Sequence, residues 1–230
     1  MRLTSARLGR LAAAGALLAA TLMAAAPATA TAAAAQGFGP LHVTKFGGNW
    51  GGYADTGASF TSVSGSWTEP SVTCTANHEL YAPWVGIDGF NTQTVEQTGV
   101  QTSCATGKPV VSGWYEMFPA APVYYSNPAS IGDKFTASVV FNGGNSYTLT
   151  LTDVTKGWTQ HVTKSLSASN ASAEAIIEAP GGFPSIPNGV KFTNVMANGK
   201  LLNAFTHHKL TSAGFVPGPL NGGTFTIKHT

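Results

Sequence analysis

Glu116 stands in Gly113-Trp114-Tyr115-Glu116-Met117-Phe118-Pro119, and Glu174 and Glu178 stand in Ala173-Glu174-Ala175-Ile176-Ile177-Glu178-Ala179-Pro180. Trp84-Val85-Gly86-Ile87-Asp88-Gly89 ends an apolar run in another carboxylate, and Glu96-Gln97-Thr98-Gly99-Val100 follows after a short connection. In the period-two geometry of a strand, Glu174, Ile176 and Glu178 share one face, as do Trp114 and Glu116. A carboxylate on the inner face of a sheet must be hydrogen-bonded or hold its proton more tightly. Groups tuned in this way are the ones that carry acid–base catalysis. A polar outer face would show the same residues without any chemistry, since antiparallel sheets commonly expose one side. The chain has only ten acidic residues and solubilises itself mainly with Ser, Thr and Asn. Carboxylates placed in aromatic strands therefore favour the chemical reading.

Other hydrolytic constellations are missing from the sequence. There is no His-Glu-x-x-His helix, and His207-His208 are neighbours that a strand would point to opposite faces. No Gly-x-Ser-x-Gly elbow occurs, and no cysteine has the surroundings of a free nucleophile. The glycine pairs Gly47-Gly48 and Gly143-Gly144 do not open helices, so phosphate cradling is unsupported. The expected site needs neither metal nor cofactor.

The elements that must hold these residues read as strands. Lys134 to Phe141 alternates, with Phe135, Ala137, Val139 and Phe141 on one face. Tyr147 to Val154 and Thr159 to Leu166 flank Thr155-Lys156-Gly157, a hairpin signal. Further strands are predicted around Ser62–Trp67, Tyr81–Ile87, Val110–Met117, Ala173–Glu178, Lys191–Ala197 and Thr224–Lys228. No helical period is sustained for three turns. Many short strands with close-spaced turns predict an all-β antiparallel sandwich or barrel.

The N-terminus reads as a targeting signal. Arg2, Arg7 and Arg10 precede an apolar run from Leu11 to Ala26, and small residues follow to Ala35. The run is too short and alanine-rich to favour a membrane anchor. The expected organisation is a signal peptide over 1–35, a short leader over 36–48 and one domain over 49–230. Three of the twelve basic residues, all arginines, fall in the signal, leaving nine lysines against ten acidic residues. No basic stripe remains for a nucleic-acid partner. So few charges also leave acid little leverage for denaturation, which makes an acidic working environment plausible. In an exported chain the lone pair Cys74 and Cys104 predicts a disulfide.

Six strings occur in the order seen in the glutamic peptidases, or eqolisins. They are Asn49-Trp50-Gly51-Gly52, Ser64-Gly65-Ser66-Trp67-Thr68-Glu69-Pro70-Ser71, Trp84-Val85-Gly86-Ile87-Asp88-Gly89, Gln97-Thr98-Gly99-Val100, Trp114-Tyr115-Glu116 and Ala173-Glu174. The chain thus resembles that family from Asn49 towards the C-terminus, with the Ala- and Arg-bearing signal of a bacterial-type member. The resemblance implies a sandwich of two antiparallel sheets, jelly-roll or concanavalin-like, with the active site on a concave face. It places the catalytic glutamine at Gln97 and the catalytic glutamate at Glu174, with Trp84, Asp88, Trp114 and Glu116 shaping the substrate groove. Ala175 stands where fungal members have Trp, and Met117-Phe118 replaces Trp-Tyr. Glu178 shares a strand face with Glu174 and remains the alternative carboxylate.

The implied function is that of a secreted, monomeric acid endopeptidase acting on proteins or peptides, with no membrane association once the signal is removed. Two other readings stand beside it. A sandwich-fold glycosidase would use Glu116 and Glu174 with Trp84 and Trp114 as sugar platforms. A non-catalytic binding module would use the same aromatics as a ligand platform.

Overall fold

The computed structural model describes residues 48–230. The expected signal over 1–35, and all of the leader but its last residue, lie outside the described residues. The strands in chain order are β1 (Trp50–Thr56), β2 (Ser62–Thr68), β3 (Leu80–Ile87), β4 (Val95–Ser103) and β5 (Val110–Phe118). They continue as β6 (Val123–Tyr124), β7 (Lys134–Gly143), β8 (Ser146–Asp153), β9 (Trp158–Ser165) and β10 (Ala173–Glu178). The last are β11 (Val190–Ala197), β12 (Lys200–Leu201), β13 (Thr206–Thr211), β14 (Phe215–Pro217) and β15 (Phe225–His229).

These strands form two antiparallel sheets. One has the order β13-β1-β10-β3-β4-β5-β6, and the other β14-β15-β11-β2-β7-β8-β9, with β12 paired to β11. The predicted sandwich is the observed one. The β8–β9 hairpin turns through residues 154–157, each strand one residue earlier than the sequence pattern predicts. β1 and β4 show no alternation of apolar and polar residues, because both of their faces are buried. Among the described residues no helix is long and apolar enough to cross a membrane.

The core lies between the sheets, and the period-two rule decides what enters it. From β10, Ala173, Ala175 and Ile177 pack into the core against Val85, Phe192 and Leu149. That leaves Glu174, Ile176 and Glu178 on the opposite face of the seven-stranded sheet. Trp67 packs beside Phe135 and Phe192, at ring-centroid separations of 6.1 and 5.5 Å.

The predicted disulfide joins Cys74, in the connection after β2, to Cys104 at the end of β4. It closes a 30-residue separation, for which the chain-entropy model gives about 3–4 kcal/mol of stabilisation.

Two carboxyls of the seven-stranded sheet break the core pattern. Asp55 lies opposite Ala173, and Glu96 lies opposite Ile87 and Met117, so both belong to the row facing the other sheet. The Asp55 carboxyl has no hydrogen-bond partner on either oxygen. Burial pushes Asp55 up to about 7. It pushes Glu96 to about 8, with the Asp88 charge adding to the effect. Replacing Glu96 with Leu should therefore stabilise the fold by about 1–3 kcal/mol at pH 7–8. The gain should shrink towards pH 3, where Glu96 is protonated in both folded and unfolded chains. Urea melts of the wild type and Glu96→Leu at the two pH values check this.

Candidate active site

The register of the seven-stranded sheet assembles the site. Glu174 of β10 lies opposite Gly86 of β3, Gly86 opposite Gln97 of β4, and Gln97 opposite Glu116 of β5. All four share the face away from the core. Gly86 is the element that makes this row work. Gly86 places no side chain of its own between Glu174 and Gln97, and the edge of the Trp84 indole lies over it. Two strand spacings separate their backbones by about 10 Å, so two extended side chains can hold one water between them.

Gly86 has little room for anything larger. A Cβ there would stand 2.9 Å from Trp84 Cζ3 and 3.1 Å from Gln97 Cβ. Gly99 is as constrained, since a Cβ would meet the Pro83 carbonyl oxygen at 2.2 Å. These two glycines let β3 and β4 approach closely under the indole of Trp84. Gly86→Ala should push Gln97 out of the row and lower kcat/KM by about a hundredfold, with a folded far-UV spectrum. Steady-state kinetics on a quenched peptide checks it.

Gln97 donates from Nε2 to Glu116 Oε2 at 2.5 Å, which orients the amide. Its second Nε2 hydrogen is left for another acceptor, and Oε1 has no protein partner. Burial pushes Glu116 up to about 8, with the bond from Gln97 acting to lower it and Glu178 to raise it. Glu174 is fully buried. Its Oε1 accepts the backbone N–H of Phe90 at 3.2 Å, and Oε2 has no partner. Burial holds Glu174 well above the usual carboxylate range. Ser172 and the Phe90 N–H oppose that shift, and Asp88 and Glu96 add to it.

Glu178 does not share this row. It lies opposite Trp50 and Ala82, four residues further along β10, and accepts from Asn49 Nδ2 at 3.0 Å. Burial pushes it to about 8, moderated by Asn49 and by the nearby indoles of Trp50 and Trp84. Trp84 and Trp114 occupy the intermediate row with Gly99 and Ile176. With Trp50, Ala82 and Val95 they form a second apolar cluster on the site face.

Asp88 follows directly after β3, and its carboxyl is held by backbone amides. Its Oδ2 accepts the backbone N–H groups of Ser169 and Asn170 at 3.0 and 2.7 Å, and Oδ1 that of Ala171 at 2.7 Å. Both oxygens are thus committed to the chain entering β10, and Asp88 positions Glu174 from behind. Sequence reasoning also missed Phe90, whose backbone N–H carries no signature of residue type. The glycine inside Trp84-Val85-Gly86 was the available signal for the gap between the dyad.

Eight of the ten carboxyls have their proton affinity raised, each chiefly by burial. A carboxyl that binds its proton more tightly when folded stabilises the fold fully below its unfolded pKa of about 4. That stability is lost as pH rises towards 7–8, where Asp55, Glu69, Glu96, Glu116 and Glu178 titrate. The melting temperature should therefore be highest around pH 3–4 and fall steadily to pH 8. Calorimetric scans across that range check the sign.

The comparisons with known proteins agree with this geometry. The model of the peptidase A4 family matches residues 48–213, and the chain belongs to that family. Aspergillopepsin-2 of Aspergillus niger is 27% identical over 212 residues, spanning 80% of this chain and 72% of that protein. A scytalido-glutamic peptidase crystallised with a transition state analog inhibitor superposes with a TM-score of 0.69 at 25% identity, covering 80% of this chain and 98% of that one. SCP-B, described as a member of the eqolisin family of peptidases in complex with the tripeptide Ala-Ile-His, gives a TM-score of 0.65 at 24% identity over the same shares. The protein is a glutamic endopeptidase, a hydrolase of peptide bonds.

Proposed function

We propose that this endopeptidase is secreted and acts as a monomer on proteins or peptides in weak acid, with Gln97 and Glu174 as its catalytic pair. The observation that carries the assignment is the single row Glu174–Gly86–Gln97, whose two ends each keep one buried oxygen without a protein hydrogen-bond partner. Ionised Glu174 takes a proton from a water held between the two side chains. The oxygen of that water attacks the scissile carbonyl. The free Nε2 hydrogen of Gln97 stabilises the oxyanion, a contribution of about 3–4 kcal/mol when preorganised. Glu174 then returns the proton to the leaving nitrogen, and the C–N bond breaks.

The raised proton affinity of Glu174 refines the expected pH dependence. As a base it works ionised, so kcat/KM falls as pH drops through its raised value. A water donating to Oε2 pulls that value back down. Burial thus moves the expected optimum up from strong acid towards weak acid, while the fold itself tolerates both.

A glycosidase using Glu116 and Glu174 fits the site less well. Gln97 stands between the two in the row and already binds Glu116. Three strand spacings put their backbones about 14 Å apart.

The test is cleavage of denatured casein from pH 3 to 7, in the presence of chelator and of serine and cysteine reagents. Glu174→Gln should lower kcat by about 10²–10⁴-fold and Gln97→Ala by about 10²–10³-fold. Glu178→Gln should cost far less than Glu174→Gln. Equal losses at the two glutamates would sink the assignment, as would full activity in Gln97→Ala.

A further inference from the structure

The row through Gln97 and Glu174 continues past Glu174 to the edge of the sheet. Ala54 of β1 lies opposite Glu174, and His208 of β13 lies opposite Ala54. The full row therefore reads His208–Ala54–Glu174–Gly86–Gln97–Glu116. Neighbours on a strand point to opposite faces. His207 accordingly turns towards the core residue Tyr53, with 5.9 Å between ring centroids, while His208 stands on the site face.

His208 reaches Glu174 through one intermediary. Its ring stacks on Phe90, with centroids 4.7 Å apart and planes inclined by 27°. The backbone N–H of Phe90 donates to Glu174 Oε1 at 3.2 Å. The imidazole is itself tied to β1, where Thr56 Oγ1 lies 2.9 Å from Nε2.

Phe90 sits in the irregular connection between β3 and β4. Its neighbours Asp88, Gly89 and Asn91 have φ of 64°, 114° and 61°, so no strand ladder holds this stretch. The base of the connection is well anchored, by the Asp88 carboxyl and by the Gly89 N–H, which donates to Thr92 Oγ1 at 2.6 Å. At Phe90 the backbone anchorage is weaker, since its carbonyl accepts Ser172 Oγ at 3.5 Å. The ring, half-buried against a half-buried imidazole, supplies the remaining hold.

We propose that His208 is a positioning residue for the reaction, which by stacking on Phe90 fixes the N–H that Phe90 gives to Glu174. The proposal rests on Glu174 as the catalytic base. A hydrogen bond donated to a carboxylate favours its ionised form, and the Phe90 N–H acts with Ser172 against the burial of Glu174. Loosening Phe90 therefore raises the proton affinity of Glu174, and the base is lost at a higher pH as the solution is acidified. Asp88 and Glu96 act on Glu174 in the same direction as burial. Glu116 and Glu178 share its sheet face, and Asp55 follows Ala54 on the core side. The substitutions below leave all five in place.

The test is the acid limb of the kcat/KM profile from pH 3 to 8, read with a quenched fluorogenic peptide. His208→Ala and Phe90→Ala should each move the limb up by about half to one pH unit. Below the limb kcat/KM then falls about three- to tenfold, and the plateau above it falls less. The double variant should move the limb no further than either single one, because both substitutions break the same contact. His208→Phe keeps an aromatic stack without a charge and should restore the wild-type limb. A limb that stays in place in the alanine variants, even with activity lowered uniformly, marks a merely structural role and overturns the proposal. Shifts that add in the double variant overturn it too, as does a limb that moves equally in His208→Phe. A wild type without an acid limb, or Glu174→Gln with full activity, overturns the catalytic assignment instead.

Discussion

Carboxyl groups in this protein have been taken out of water into a charge-poor sandwich. The cost of burying the charged form is the constraint that organises the rest. The responses differ by position. Glu69 gathers the hydroxyls of Tyr81 and Thr102 and still holds its proton up to about 7. Asp88 is answered by three backbone amides, which turns its burial into a clamp on the entry to β10. Asp55 receives no hydrogen bond, and burial holds Glu96 up to about 8, so neutrality is the state in which both fit. One principle thus divides the carboxyls into structural anchors, tolerated guests and reactive groups, according to the donors that reach them.

The carboxyl proposed as the catalytic base is Glu174, whose donors are incomplete. Glu174 has a single backbone N–H on one oxygen and an unpartnered second oxygen. Gly86 puts no side chain of its own into the row between carboxyl and amide, and the edge of the Trp84 indole borders the space above it.

The fold was legible in the sequence where one face is wet. β7 and β8 alternate cleanly, and their outer faces are lined by Thr and Ser. β1 and β4 were not predicted as strands, because burial on both sides erases the period. Gln97, Glu174, Trp84, Trp114 and Glu116 are brought to one face as the strand period and the family resemblance together imply. The distinction between Glu174 and Glu178 was not legible. Both have the same parity on β10, and only pairing across three strands separates their rows. The partners of Asp88 were not legible for a related reason. Its partners are main-chain amides some eighty residues away, and amides carry no mark in a sequence.

An amide at position 97 also follows from the constraint that opens this account. Gln97 lies between Glu174 and Glu116 in one row. A third carboxyl there would compete with its neighbours for protons, and the row would titrate as a coupled set with no fixed donor. An amide keeps a hydrogen for Glu116 and another for a developing oxyanion at every pH, because it does not titrate. In the proposed mechanism it also holds the two acids apart, so that only one of them changes protonation during a turnover. Glu116 then remains the partner that orients the amide, while Glu174 alone moves a proton. The division of labour between two similar glutamates is thus set by the one residue in the row that cannot ionise.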